Sequence, residues 1–187
     1  MTISANDPQA KRRLVDLLAR GGVAIIPCDT VYGIVGRVPD TEARIRTIKG
    51  REETNPFLML IGGVEQLKLI SDTQLDAGVQ RLWPGPVTLV IPAREGTVAV
   101  RLPDDAFLRD VVLSLGAPIY STSVNRSGSP PLAAIEQIVA SFETDVDLIL
   151  DGGSFGGRKP STILDVSRRP YRILREGSGR IPPELLT

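Results

Sequence analysis

The 187-residue sequence contains no histidine. That absence removes a Ser-His-Asp triad, a histidine general base and every histidine metal ligand. The single cysteine, Cys28, excludes an internal disulfide and a cysteine-based zinc site. Net charge is lacking too. Twenty-two Lys and Arg balance 22 Asp and Glu, so no global field draws the chain to nucleic acid or to a membrane. No apolar run approaches the ~20 residues of a membrane-spanning helix. Met1 to Asp7 is polar and shows no secretory pattern, which predicts a cytoplasmic protein with no membrane partner. Chemistry in this chain falls to Lys, Arg, hydroxyls, carboxylates and backbone groups.

What is present suits a globular protein: 42% hydrophobic and 24% charged residues, with no repeat, low-complexity tract or shift in composition. One domain over 1–187 is expected, large enough for a core without staples. Asp7-Pro8 predicts a helix start, and Ala10, Leu14, Leu17 and Leu18 fall on one face before Gly21-Gly22. Val23 to Ile26 reads as a buried strand closed by Pro27. A helix from Asp40 or Thr41 through about Lys49 precedes a strand, Phe57 to Ile61. Val64 to Ile70 and Gln74 to Trp83 read as helices. Val87 to Ile91 and Thr97 to Leu102 read as a hairpin turning near Arg94-Glu95-Gly96. A helix from Asp104 to about Leu115, a strand Pro118 to Ser121, a helix Ile135 to Phe142 and strands Leu148–Leu150, Ser161–Val166 and Tyr171–Leu174 complete the reading. Interleaved helices and apolar strands with one hairpin predict a mixed sheet in an α/β domain.

Three polar segments stand at element ends. Ile48-Lys49-Gly50-Arg51 runs into Asn55-Pro56, which stops any helix. Lys49 offers a point charge and Arg51 a planar fork, a combination that suits phosphate oxygens, and Gly50 would let backbone approach a ligand. The same two cations also complement a helix C-terminus. Cys28 to Gly33 follows a strand, where ligands sit in open α/β sheets. Ser121, Thr122, Ser123, Asn125, Ser127 and Gly128 crowd one strand end, where a hydroxyl-rich loop from Thr122 can equally be a turn with local side-chain bonds. Taken together the three segments describe a pocket for an anion and a small polar partner.

Other motifs fail. In Gly152 to Ser161 the lysine does not follow the second glycine of a P-loop and Pro160 opens a β-like run, so a surface turn is predicted. No G-x-G-x-x-G follows a strand, which argues against a dinucleotide fold. Between 158 and 180 seven cations (Arg158, Lys159, Arg168, Arg169, Arg172, Arg175, Arg180) face two acids, Asp165 and Glu176. That segment reads either as a solvated basic face or as a phosphate- or RNA-facing surface.

An ordered set of segments resembles the YrdC-like family, the L-threonylcarbamoyladenylate synthases. It comprises Pro27–Gly33, Lys49-Gly50-Arg51 with Asn55-Pro56, Trp83-Pro84-Gly85-Pro86-Val87-Thr88 and Val98–Pro103. Ser121–Gly128, Asp151-Gly152-Gly153, Pro160-Ser161-Thr162 and Ile173–Gly177 follow in the family's order. The resemblance ends where short members of the family end. It implies a twisted mixed β-sheet flanked by helices around a large concave, positively charged cavity. The implied reaction converts L-threonine, bicarbonate and ATP to L-threonylcarbamoyl-AMP and pyrophosphate, for modification of tRNA position 37 through a downstream transferase complex. By position, Lys49 and Arg51 would hold the phosphates as the catalytic pair. Arg51, Asn55, Thr97, Ser123, Pro131 and Arg175 would line the ATP side. Cys28, Arg101, Ser121 and Ser161 would face L-threonine, with Mg²⁺ carried by the phosphates and no dedicated metal ligands. Two positions depart from the pattern. Cys28 stands where the family usually has threonine, and Leu60 where many members have histidine. Both departures touch the threonine side. The alternatives are an RNA-binding module and a nucleotide-binding regulatory paralogue of the same fold.

Overall fold

The computed structural model describes residues 1–50 and 56–187. Ten strands form one mixed sheet. In chain order the elements are β1 (Thr2–Ser4), α1 (Ala10–Ala19), β2 (Val23–Ile26), β3 (Gly33–Arg37), α2 (Glu42–Lys49), β4 (Leu58–Leu60) and α3 (Ala77–Gln80). Then come β5 (Val87–Pro92), β6 (Thr97–Arg101), α4 (Ala106–Leu115), β7 (Ile119–Ser123), α5 (Ile135–Phe142), β8 (Leu148–Asp151), β9 (Thr162–Asp165) and β10 (Arg172–Arg175). Strand order is β1-β8-β2-β3-β7-β4-β6-β5-β9-β10. β1, β8 and β2 run parallel, as do β4 with β6 and β5 with β9, while the remaining neighbours are antiparallel.

Several expectations change. Val64–Leu69 is a 3-10 helix and only Ala77–Gln80 of the predicted 74–83 helix is α-helical. The chain leaves the helix because Trp83-Pro84-Gly85-Pro86 follows, and its indole N–H donates to the Val87 carbonyl at 2.7 Å. Asp7 is not the N-cap of α1. Gln9 holds that position and the Asp7 carboxylate accepts from the Gln9 N–H at 2.7 Å. β1 and β3 are additional strands. β7 extends through Ser123, two residues past the expected end at Ser121, so Thr122 and Ser123 belong to the strand rather than to the loop.

Registers divide the sheet into two faces. One carries Leu148, Ala24, Val35, Ile119 and Leu60, on which α1 and α4 lay Ala10, Leu14, Leu18, Leu108, Val111 and Val112. The apolar spacing of α1, every fourth residue, produces that stripe. The opposite face is covered by α2 and α5 over Ile25, Ile34, Tyr120 and Ile149. Farther along, Leu67, Leu75, Val79 and Trp83 cover Leu89, Val100 and Leu164. Among the described residues no helix is long and apolar enough to cross a membrane.

Candidate active site

Past Leu60, the α1/α4 face changes character. Register aligns Leu60 with Arg101, and Leu58 with Ser121 and Ala99, on this face. Thr88 lies beside Ile163 on β5 and β9, and Ile163 beside Arg175 on β10. A cavity of about 300 Å³ opens here, with Arg101, Ser121, Ser123, Thr88, Ser161 and Arg175 among its polar lining. β7 brings Ser121 and Ser123 to the cavity on one face, with Thr122 between them also in the lining. Gly33, opposite Ser123, also lines it. A Cβ at Gly33 would stand 3.0 Å from Ser121 Oγ and 3.1 Å from Cys28 Sγ, so a side chain there would press on both.

Arg101 is the most enclosed cation of the lining, 2% exposed. Two consecutive residues of the β2–β3 loop grip it. Its Nη2 lies 3.2 Å from Asp29 Oδ1, and its Nη1 donates to Thr30 Oγ1 at 3.0 Å. Arg101 Nε and Asp29 Oδ1 are buried without a hydrogen-bond partner. Burial raises the Asp29 carboxyl above the ordinary carboxylate range, and Arg101 opposes that shift. On the far wall, Thr88 Oγ1 and Ser161 Oγ share a hydrogen bond of 2.8 Å, both residues being buried. Arg175 donates to the Ser161 carbonyl, at 2.8 Å from Nη2. Partial burial, and then the charge of Arg101, lower the affinity of Arg175 for its proton. Two guanidiniums thus share this cavity.

Lys49 ends α2. Its Nζ donates to the Ser123 carbonyl at 2.7 Å and to Asn125 Oδ1 at 2.8 Å. Ser123 Oγ donates to the same Asn125 oxygen at 2.7 Å. Ser127 N–H reaches the Lys49 carbonyl at 2.8 Å and Arg126 donates to the Ile48 carbonyl, so the 124–129 loop is tied to the helix end. Gly50 has φ +59° and a Cβ there would meet nothing within 4 Å. It makes the left-handed turn out of α2.

The predicted residues divide three ways. Arg101, Ser121, Ser161, Ser123, Pro131 and Arg175 line one cavity. Lys49 adjoins it through Ser123. Arg51 and Asn55 lie outside the described residues. Cys28 does not line the cavity: it continues the parity of Ala24 and Ile26, and burial takes its thiol into the α1/α4 core, 2% exposed. Desolvation there pushes the thiol up to about 12. Leu60 is in the same core. Thr97 is exposed at the start of β6, two residues before Ala99 on the same face and beyond the cavity lining. Thr30, Tyr32 and Thr88 are lining residues not singled out by sequence, although all three fall within the quoted segments. Tyr32 is anchored through its hydroxyl, which accepts from the Gly152 N–H and donates to the Gly153 carbonyl, each at 2.8 Å. Among the described residues no group of three or more Cys, Asp or Glu could hold a metal, and no carboxylate lines the cavity.

Of the basic segment, Arg158 lies over the Phe155 ring at 3.9 Å, Arg169 contacts Asp76 at 3.0 Å and Arg175 faces the cavity. Part of that charge is thus committed within the chain.

Comparison with known proteins fits this architecture. The family model for Sua5, YciO and YrdC proteins, described as "Telomere recombination", matches residues 16–177. The threonylcarbamoyl-AMP synthase of Bacillus subtilis (strain 168) is 30% identical over 191 residues, covering 94% of this chain and 55% of that protein. The one from Pyrococcus abyssi is 31% identical over 175 residues, covering 86% and 52%. The chain therefore spans about half the length of these two curated relatives. Among solved structures, P. abyssi Sua5 complexed with L-threonine superposes with a TM-score of 0.85 at 27% identity, covering 95% of this chain and 57% of that one. Escherichia coli YciO gives 0.82 at 26% identity and covers 98% and 97%. With most of its length matched by the family model and its fold superposing on these structures, the chain belongs to the Sua5/YciO/YrdC family.

Proposed function

We propose that this chain is an L-threonylcarbamoyladenylate synthase, a nucleotidyltransferase acting on L-threonine, bicarbonate and ATP. The observation that carries the reading is the meeting of Arg101, Ser121 and Ser161 with Ser123, Pro131 and Arg175 around one cavity. The likeness to a Sua5 complexed with L-threonine supports it. In this reading the cavity is positively charged and 1–187 act as a single cytoplasmic domain.

The threonine amine adds to carbon dioxide or bicarbonate, giving a carbamate with loss of a proton when carbon dioxide is the donor and of water when bicarbonate is. A carbamate oxygen attacks the α-phosphorus of ATP, and the bond to the β-phosphate oxygen breaks as pyrophosphate leaves. Arg101 suits the amino-acid carboxylate because a guanidinium can offer two parallel donors. Ser121 and Ser161 supply further hydrogen bonds. Lys49 and Arg51 neutralise charge that grows on the leaving phosphates, while Asn55, Ser123, Pro131 and Arg175 hold the nucleotide. Thr97, exposed at the start of β6, stays on the nucleotide side of this assignment although it lies outside the cavity lining. Mg²⁺ would be carried by the phosphates, since the described lining offers it no carboxylate, and would supply charge neutralisation there. The protein's contribution is positioning and electrostatics, which needs no histidine. The product is the activated group that a separate transferase complex would place on tRNA position 37.

Purified protein is mixed with ATP, Mg²⁺, bicarbonate and L-threonine, leaving out one at a time, and pyrophosphate is followed. Release only from the full mixture supports the synthase. Release at full rate without amino acid identifies an ordinary ATPase, and ATP binding without release identifies a regulatory paralogue.

A further inference from the structure

Thr88 lines the cavity on β5 and is 2% exposed, yet the reaction as written gives it no task. We propose that Thr88 is a positioning residue, whose hydroxyl donates to Ser161 Oγ and so aims the Ser161 proton at an acceptor oxygen of the bound amino acid. The proposal rests on the synthase reading and deepens the contact which that reading gives to Ser161.

Ser161 stands just before β9, two residues ahead of Ile163, the register partner of Thr88. Its backbone is held from the β10 side. Arg175 Nη2 donates to its carbonyl at 2.8 Å, and the Ser178 N–H donates to the Pro160 carbonyl at 2.9 Å. A Cβ at Gly177 would stand 2.4 Å from the Ser161 carbonyl carbon, so the chain after β10 packs directly on this residue. The freedom that remains is the Ser161 side-chain rotamer and the direction of its proton. Serine is unbranched, whereas threonine in a strand is stiff about its first side-chain torsion. With the two oxygens 2.8 Å apart and both residues buried, the stiff partner fixes the free one.

Proton counting gives the direction its consequence. Two hydroxyls carry two protons, and the bond between them uses one. Among the described residues no acceptor takes the other, and both residues line the cavity, where a ligand can accept it. Ser161 Oγ also accepts from Arg175 Nη2 at 3.4 Å. With Thr88 donating, Ser161 Oγ accepts twice and its O–H, polarised by the guanidinium, becomes the outward donor. The reverse direction would put the outward proton on Thr88 and make Thr88 itself a substrate contact. The two directions differ in how the residues depend on each other.

The test is a double-mutant cycle of wild type, Thr88→Val, Ser161→Ala and Thr88→Val/Ser161→Ala, with Thr88→Ser beside it, each checked for folding by circular dichroism. L-Threonine affinity is measured by calorimetry, and KM for L-threonine and ATP by pyrophosphate release. Thr88→Val should raise the Kd and KM for L-threonine by about three- to tenfold, and Ser161→Ala by about tenfold or more. The double variant should match Ser161→Ala within about twofold, because Thr88 acts only through Ser161. Thr88→Ser, which keeps the donor, should stay within about threefold of wild type. KM for ATP should stay within about twofold in both Thr88 variants. Additive losses in the double variant overturn the proposal, since Thr88 then touches the substrate itself. So does unchanged threonine affinity in Thr88→Val or Ser161→Ala, an equal rise in KM for ATP, or a folded Thr88→Ser as weak as the valine variant. Calorimetry separates the two readings. A wild type that binds L-threonine but releases no pyrophosphate refutes the synthase alone, and the cycle in Kd still decides Thr88. A wild type that binds no L-threonine refutes the role of Thr88 as well.

Discussion

The α1/α4 face of the sheet is dry over β8, β2 and β3 and wet over β6, β5 and β9, although one set of registers runs through both. Leu60 and Arg101 mark the change: they sit on adjacent parallel strands at aligned positions, both 2% exposed or less. Leu60 is buried by its neighbours' side chains. Arg101 is buried by a carboxylate and a hydroxyl, and opens onto a cavity. On the dry side burial contributes stability in proportion to apolar area. On the wet side burial costs solvation, and only paired charges and ligand contacts offset it. Substitutions at equal depth should therefore act on stability on one side and on turnover on the other.

Arg101→Ala should have the largest effect, because it removes the proposed carboxylate contact and strands Asp29. Breaking a buried pair costs about 3–5 kcal/mol, and turnover should fall on the order of a hundredfold or more. Urea unfolding with pyrophosphate release measures both. The double variant Asp29→Asn/Arg101→Met should recover much of the stability but not the activity. If Asp29→Asn/Arg101→Met recovers neither, the pair is not what governs this wall.

Lys49→Ala should lower turnover by about ten- to a thousandfold while the fold survives, since a phosphate-neutralising charge is lost. The ties from Lys49 to Ser123 and Asn125 predict that part of the loss is a shifted 124–129 loop. Hydrogen exchange of that loop would register the shift. Wild-type turnover in the folded variant would remove Lys49 from the site.

How much of this was readable beforehand depends on distance along the chain. The helix α5 and the strand β2 were read at their observed limits, because periodicity and breakers are local. β3 was not read, because Gly33 and Gly36 interrupt its apolar pattern and its partners β2 and β7 supply the reason to be a strand. The cations and hydroxyls of the site were legible as residue types within motif segments. The grip of Asp29 and Thr30 on Arg101 was not, since more than 70 residues separate them. Nor was the inward turn of Cys28, which follows from strand parity and from the core that α1 and α4 complete.

Cys28 sharpens the contrast with a smaller effect. Cys28→Ser should cost about 1–3 kcal/mol, the price of an unmatched hydroxyl in an apolar core. Turnover should stay near wild type, whereas Ser161→Ala should do the reverse. Linkage gives a further sign. Burial raises the thiol from 9.0 to about 12, so between those values only the unfolded chain ionises there. Its contribution to stability is complete below pH 9 and is lost as pH rises through about 12. Cys28→Ala should make alkaline unfolding less steep. Equal slopes for the two proteins would place the thiol in a wetter setting.

The central claim is that amino acid and nucleotide react on the wet half of this face. The most direct measurement supplies ¹⁴C-bicarbonate with L-threonine, ATP and Mg²⁺ and separates the nucleotides. The account predicts labelled threonylcarbamoyl-AMP, equimolar with pyrophosphate, that disappears when L-threonine is omitted and in Arg101→Ala. Pyrophosphate formed with no label in any adenylate would contradict it.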